Sequence, residues 1–318
     1  MAAKSLGICI LGGTGFVGTE LVMHLAAAGH SIRVPTRNLS RGNHLKVLPT
    51  VELVAANVHD GRVLGQLFEG MDVVINLIGI VNERRRETFR GVHAELAGKV
   101  VEAMRAARAH RLLHMSALGA GAQAPSQYLR SKGEAEAQVR VAAAWLDATI
   151  FRPSVIFGPN DTLSNRFARL LRLSHGVLPL ARPRARFAPI WVEDVVAAFI
   201  RALGDRRTSG KSYELCGPEV MTLAELVRAV GVAAGLPCHI IPLPDFIAQI
   251  QGVFMDFLPG KPFTYDNYKS LTIDSVCTQN GCASLGIHPT HMRGVIAGFL
   301  QDHSTRRLLD FYRKSSSG

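Results

Sequence analysis

Tyr128-Leu-Arg-Ser-Lys132 sets a phenol and an ammonium four residues apart, a spacing that stacks them on one face of a helix. A cation beside a phenol lowers its pKa toward a working range, and the same lysine can hydrogen-bond a ribose. Ser116 stands twelve residues earlier, at the end of an apolar run, where its hydroxyl can orient and polarise a carbonyl. Further upstream, Leu11-Gly-Gly-Thr-Gly-Phe-Val-Gly18 satisfies both G-x-G-x-x-G (Gly13, Gly15, Gly18) and the shifted G-x-x-G-x-x-G (Gly12, Gly15, Gly18). One glycine makes a tight turn, another lets the backbone approach a pyrophosphate, and Gly18 lets a helix pack on a strand. Taken together these parts suit hydride transfer, in which a bound dinucleotide carries the hydride and Tyr128 supplies or removes the proton. The tyrosine–lysine spacing recurs at Tyr265-Asp-Asn-Tyr-Lys269, so position, not the string, singles out Tyr128 and Lys132.

Positioning these groups falls to an alternation of short apolar runs and longer amphipathic stretches. Strands are expected at Leu6–Leu11, Ile32–Val34, Val51–Ala55, Asp72–Leu77, Leu112–Met115 and Ala148–Phe151, rich in Val, Ile and Leu and too short for helices. Helical spacing covers Val17–Ala28 and Glu95–Ala109 between them, then Asn165–Leu173, Val192–Leu203 and Thr222–Ala234 beyond Pro153. Thr222-Leu-Ala-Glu225 reads as a capping box. The fold class expected is α/β: a doubly wound parallel Rossmann sheet with a smaller C-terminal α/β lobe. Residues 1–158 would form the dinucleotide domain and 159–318 the lobe, interleaved with the sheet around 187–216.

Composition narrows the function classes. Of 318 residues, 47% are apolar and 19% charged, which excludes wholesale disorder. No run approaches the ~20 apolar residues that cross a bilayer. The glycine-rich strand and turn start by Leu6, leaving no room for a leader, so a cytoplasmic protein with at most peripheral contact with the inner face of a membrane is expected. Net charge is +11, which favours acidic partners such as a phosphorylated cofactor. The arginines at 84–86, 182–186 and 206–207 are scattered, with no glycine–aromatic interleaving, so nucleic acid is not an expected partner. Five cysteines without a C-x-x-C pair suit reduced thiols, and the absence of metal-ligand spacing leaves no metal site.

The cofactor is read at the end of the second strand. An NAD site usually carries an acid about 20 residues after the glycines, yet no Asp or Glu occurs between Glu20 and Glu52, while Arg33, Arg37 and Arg41 do. Arg37 could clasp a 2′-phosphate with its planar fork, so NADP(H) is expected in preference to NAD(H).

With these residues assembled, the chain resembles the short-chain dehydrogenase/reductase superfamily, on the extended or atypical branch that includes the nucleoside-diphosphate-sugar epimerases. The resemblance runs over almost the whole length: Gly12–Gly18, Asn57-Val-His-Asp60, Asn76-Leu-Ile-Gly79, the Tyr128/Lys132 pair, Arg152-Pro-Ser-Val-Ile-Phe-Gly-Pro159, Trp191-Val-Glu-Asp-Val195 and Gly217-Pro-Glu. Within that superfamily NLIG, SALGA, YLRSK and RPSVIFGPND are similar to the nucleotide-binding accessory subunits of respiratory complex I and their bacterial relatives, which also carry a stretch like Leu271–Pro289. This resemblance implies a bound NADPH with contacts at Gly12, Thr14, Gly15, Phe16, Val17, Arg37, Asn57, Val58, Leu77, Ile78, Gly79, Lys132 and Pro153. It implies no definite substrate, and points to a weak reductase or structural nucleotide binder linked to complex I or quinone metabolism. The alternative is an active NADP-dependent reductase or epimerase acting on a sugar nucleotide or another small carbonyl compound. Two departures from the epimerase pattern stand out: a short passage from Ser116 to Tyr128, and Asn57 where an acid is usual near the adenine.

One segment of the lobe bears on partners. Phe246, Ile247, Ile250, Val253, Phe254, Phe257 and Leu258 give a helix from Phe246 to Leu258 a broad apolar face. Its default place is the lobe's core; the alternatives are a pocket for a quinone or other apolar ligand, or a surface meeting a membrane or respiratory-complex subunits.

Overall fold

The computed structural model describes residues 5–84, 87–256 and 263–300. The first elements alternate as β1 (Gly7–Leu11), α1 (Phe16–Ala27), β2 (Ser31–Thr36), β3 (Val51–Ala55), α2 (Gly61–Phe68), β4 (Val73–Asn76), α3 (Leu96–Ala106), β5 (Arg111–Met115), α4 (Gln127–Val141) and β6 (Asp147–Pro153). There follow β7 (Ile156–Phe157), α5 (Thr162–Leu173), β8 (Val177–Ala181), β9 (Arg186–Phe187), β10 (Ile190–Trp191), α6 (Val192–Gly204) and β11 (Ser212–Leu215). The last are β12 (Met221–Thr222), α7 (Leu223–Ala233), β13 (His239–Leu243), α8 (Asp245–Met255), α9 (Tyr265–Ser270) and α10 (Gly281–Ser284).

Seven strands form one sheet in the order β11-β6-β5-β4-β1-β2-β3, every pair parallel. Parallel strands buried on both faces read as unbroken apolar runs, and β1, β4 and β5 are buried almost throughout. Helices cover both faces of this doubly wound sheet: α1 packs with α6, while α2, α3 and α4 pack in succession. Under the latter, Leu64, Phe68, Leu96, Val100 and Met104 close on Cys9, Leu11, Val74 and Leu112. Truncating one of these, such as Phe68, would cost about 3–5 kcal/mol. The strand order reverses beside β1, which is flanked by β2 and β4; in such sheets the carboxyl ends of the strands at that crevice take ligands.

Two compact units emerge. The first comprises the described parts of 1–153, 192–215 and 277–288, and the second those of 154–191, 216–276 and 289–318. In the second, β8 pairs β13 in parallel and β9 pairs β12 antiparallel. Its cores gather Leu171, Leu178, Phe187 and Val227, and Phe157, Leu226, Met292 and Phe299. The capping box forms: Glu225 N–H donates to Thr222 Oγ1 at 3.2 Å and Thr222 N–H to Glu225 Oε2 at 2.8 Å.

Two sequence expectations need correction, and one helix that forms where expected has an unforeseen start. The helix read from Glu95 is preceded by a π turn, Arg90–Glu95, in which Val92, His93 and Ala94 are all buried. Helix α8 does not bury its large residues: Ala248 and Gly252 face inward, while Phe246, Ile250 and Phe254 are 65%, 65% and 68% exposed. Phe257 and Leu258 lie outside the described residues. Finally, Cys9 and Cys238 are free thiols, but Cys216 and Cys277 are each disulfide-bonded.

Candidate functional site

The glycines at 12 and 18 of the turn between β1 and α1 have no room for a side chain. Gly12 takes φ +84°, and a Cβ there would sit 3.2–3.3 Å from Leu77 and Ile78; a Cβ on Gly18 would lie 2.2 Å from the Gly12 carbonyl oxygen. Helix α1 starts at this turn with no side-chain cap and no acid in its first turn. Its leading amides and positive dipole end therefore face the turn unneutralised, as an anion requires. Thr14 and Phe16 are half-buried and Gly15 exposed, whereas the Val17 side chain is buried. The turn fits a pyrophosphate.

Around it stand the other residues named for a dinucleotide. Asn57 and Val58 follow β3; Asn57 Oδ1 accepts from His59 N–H at 3.1 Å and the Val58 side chain joins the core. Leu77, Ile78 and Gly79 follow β4, with Leu77 N–H still donating to Leu11 O at 2.9 Å. Pro153 ends β6, its carbonyl accepting from Leu118 N–H at 3.0 Å. Arg37, after β2, has its guanidinium on Glu87, Nη1 to Oε1 at 2.5 Å. The hydrogen bond from Arg37 holds the Glu87 carboxyl below the usual range.

Lys132 reaches the carboxyl end of β5 beside Ser116, and Tyr128 stands one turn before Lys132 on α4, its ring against Phe89 and His93. Ser116 lies one residue past β5, its N–H donating to Phe151 O at 2.7 Å. Ser126 caps α4, accepting from Leu129 N–H, so Tyr128 and Lys132 lie in the first two turns of that helix. Lys132 is buried, donates from Nζ to Met115 O at 3.2 Å, and stands against Gly79, where a Cβ would be 3.0 Å from Nζ. Burial pulls the lysine down to about 8. It pushes the half-buried Tyr128 phenol up to about 12, with no lowering by Lys132, contrary to the lowering anticipated from the spacing. The Ser116 hydroxyl is buried without a hydrogen-bond partner of good geometry.

Several neighbours escaped the sequence reading. Glu136, one turn beyond Lys132 on the same face, is buried and clasped by Arg152 (Nε to Oε1, 2.7 Å) and Arg140 (3.2 Å). Burial alone would raise its pKa, but Arg152, Ser116 and Arg140 hold it below the ordinary carboxylate range. The Lys132–Glu136 spacing was the available signal. His114 on β5 faces Asn76 (Nδ1 to Nδ2, 3.3 Å), and burial, reinforced by Lys132, pushes it down to about 3. His93, on the π turn, meets Ser131, Phe89 and Tyr128. Among the described residues no group of three or more His, Cys, Asp or Glu could hold a metal, and no helix is long and apolar enough to cross a membrane.

The pattern of the NAD dependent epimerase/dehydratase family matches residues 8–216. Subunit 9 of the NADH dehydrogenase [ubiquinone] 1 alpha subcomplex, mitochondrial, of Arabidopsis thaliana is 32% identical over 312 residues, 92% of this chain and 76% of its own. The ceramide reductase of Caulobacter vibrioides is 34% identical over 267 residues, 80% of each chain. MoeE5 in complex with UDP-glucose and NAD shares the fold, with a TM-score of 0.73 at 18% identity over 95% of this chain and 99% of that one. NAD is also what a second MoeE5 complex, a UDP-glucuronic acid 4-epimerase and a dTDP-glucose 4,6-dehydratase of this fold hold. This overturns the expectation of NADP(H), and the geometry gives the reason: the Arg37 fork meant for a 2′-phosphate is already paired with Glu87, whose charge would repel one. Glycine turn, parallel sheet and both sets of relatives agree, and the chain belongs to the NAD dependent epimerase/dehydratase family.

Proposed function

We propose that this protein is an NAD(H)-dependent oxidoreductase or epimerase of the short-chain type, acting at an alcohol or carbonyl carbon of a sugar nucleotide or another small carbonyl compound. The turn at Gly12, Gly15 and Gly18 with the start of α1 would hold the pyrophosphate, Asn57 would face the adenine side, and Leu77–Gly79 with Lys132 the nicotinamide side. The bound dinucleotide would supply hydride exchange. Ser116 would orient the substrate oxygen, Tyr128 would hold or release its proton, and Lys132 would supply positive charge beside them. The observation carrying this reading is the Ser116 hydroxyl, buried beside the Met115 carbonyl that the Lys132 ammonium contacts, with only a poorly formed contact to Glu136. Buried polar groups are rarely left so, and a substrate oxygen would satisfy it.

The test begins with protein purified without added nucleotide: release and identify any dinucleotide, titrate NADH, then follow NADH or NAD with a panel of UDP-sugars and small ketones. Turnover of a panel member that falls about a hundredfold in Tyr128→Phe while NADH affinity holds supports the enzyme. Stoichiometric dinucleotide that survives purification, with no turnover and indifference to Tyr128→Phe, overturns it in favour of a second reading. That reading is a structural nucleotide binder within a respiratory assembly. The mitochondrial NADH dehydrogenase relatives and a Tyr128 phenol pushed away from neutral pH favour it, and the outward apolar residues of α8 would then meet a partner subunit or a quinone tail.

A further inference from the structure

One line of hydrogen bonds joins the segment after β4 to the first turn of α4. Ile80 N–H donates to His93 Nε2 at 3.0 Å, His93 Nδ1 and Ser131 Oγ lie 2.8 Å apart, and the Ser131 hydroxyl donates to the Tyr128 carbonyl at 2.8 Å. Chemistry fixes the direction of each link. A backbone amide only donates and a carbonyl only accepts. Nε2 is therefore bare, the ring proton sits on Nδ1, and Ser131 accepts that proton while giving its own to Tyr128. The ring also stays neutral: burial, with the Lys132 cation and His114 nearby, pushes His93 down to about 2.

Both ends of the line reach the candidate machinery. Ile80 closes the segment 77–80, whose Leu77 and Ile78 lie against Gly12 and whose Gly79 lies against Lys132 Nζ. At the other end the His93 and Tyr128 rings meet edge to face, with centroids 5.7 Å apart. A π turn, a form frequent at functional sites, carries His93 into the gap. Nothing in the proposed hydride chemistry requires a histidine here.

We infer that His93, held as its Nδ1–H tautomer, is a positioning residue that couples segment 77–80 to the Tyr128 turn of α4, so that a dinucleotide held by the segment and the Tyr128 phenol keep a fixed relation. The inference rests on the dinucleotide reading for its kinetic consequence and on geometry alone for its tautomer.

Nitrogen NMR of the labelled full chain tests the tautomer directly. The expected result is a proton on Nδ1 and no titration of the ring from about pH 5 to pH 9, the range over which an ordinary histidine titrates; a proton on Nε2, or a titrating ring, overturns the inference whether or not any nucleotide binds. Two variants then split the coupling, because an Asn amide reaches the place of Nδ1 and a Gln amide that of Nε2. His93→Asn should loosen Ile80, speeding Ile80 amide exchange and the release of NADH by about tenfold, the worth of one lost hydrogen bond. His93→Gln should instead shift the Tyr128 ring signals and change NADH release by less than about threefold. Equal effects of both variants on both readouts would reduce His93 to a space-filling residue and overturn the coupling. Failure of the wild type to bind NADH would sink the proposed function, leaving the tautomer, Ile80 exchange and Tyr128 signals to decide on His93.

Discussion

Two tyrosine–lysine pairs share one spacing and little else. In α9, Lys269 Nζ lies 4.8 Å from the centroid of the Tyr265 ring and Tyr265 stacks on Tyr268, a half-exposed cation–π arrangement. In α4, Lys132 is buried, turns to a main-chain carbonyl and is followed one turn later by an ion-paired glutamate. The difference lies in what each helix is laid against. Helix α4 covers a parallel sheet and offers its lysine to the carboxyl end of β5, where burial alters the chemistry of an amine. The ring that stabilises Lys269 occupies its cation in place of a ligand.

The largest effect should come from the group that makes the α4 pair tolerable. Glu136→Gln leaves the guanidinium of Arg152 half-buried without its carboxylate and removes negative charge near Lys132. Breaking a buried pair from one side costs about 3–5 kcal/mol, to be read as a fall in the free energy of urea unfolding. A loss below about 1 kcal/mol, the worth of a surface pair, would mean the cluster is effectively solvated and the contrast with α9 overdrawn. Next comes activity. Tyr128→Phe should lower turnover about a hundredfold, whereas Tyr265→Phe should leave it unchanged. Equal losses in the two variants would erase the comparison.

Local patterns made the sheet and the glycine turn legible. β1 and most of β4 are buried on both faces and so are spelled as apolar runs, β5 is apolar apart from Arg111 and His114, and the phosphate turn is a short string next to its strand. Contacts between distant positions were not legible. Arg37 read as a phosphate clasp because Glu87, fifty residues on, could not be placed beside it, and His93 stayed silent because Ser131 is 38 residues away. Helix α8 was misread for a different reason. Apolar content suggests burial, yet the residues that let α8 approach its neighbour are its smallest, Ala248 and Gly252, and a Cβ on Gly252 would meet Tyr265 backbone at 3.0 Å. The large residues are left outward by that close approach.

Acid–base linkage sharpens the comparison further. Burial lowers Lys132 to about 8 from the ordinary 10.5, so between those values the unfolded chain binds a proton that the folded protein has released. Stability from this group therefore rises with pH across that window, by roughly 2 kcal/mol. Cys9 and Tyr128 act oppositely, since burial raises both and the unfolded chain loses those protons first. Comparison with Lys132→Met cancels their contribution. The unfolding free energy of the wild type minus that of the variant should increase from pH 8 to pH 10, and a flat difference would show that Lys132 is hydrated in the folded state.

The smallest effect belongs to Lys269→Met. Its cation sits over a half-exposed ring, a contact worth about 0.5–1 kcal/mol, and methionine keeps much of the stem's packing against Tyr265. The urea midpoint should move only slightly. Pairing it with Tyr265→Leu isolates the ring–cation coupling, because the double variant loses it once and not twice. A small coupling with unchanged NADH affinity would confine Tyr265 and Lys269 to holding α9. A change in NADH affinity would place a second working tyrosine–lysine pair in the chain, and burial would cease to be what distinguishes Tyr128 and Lys132.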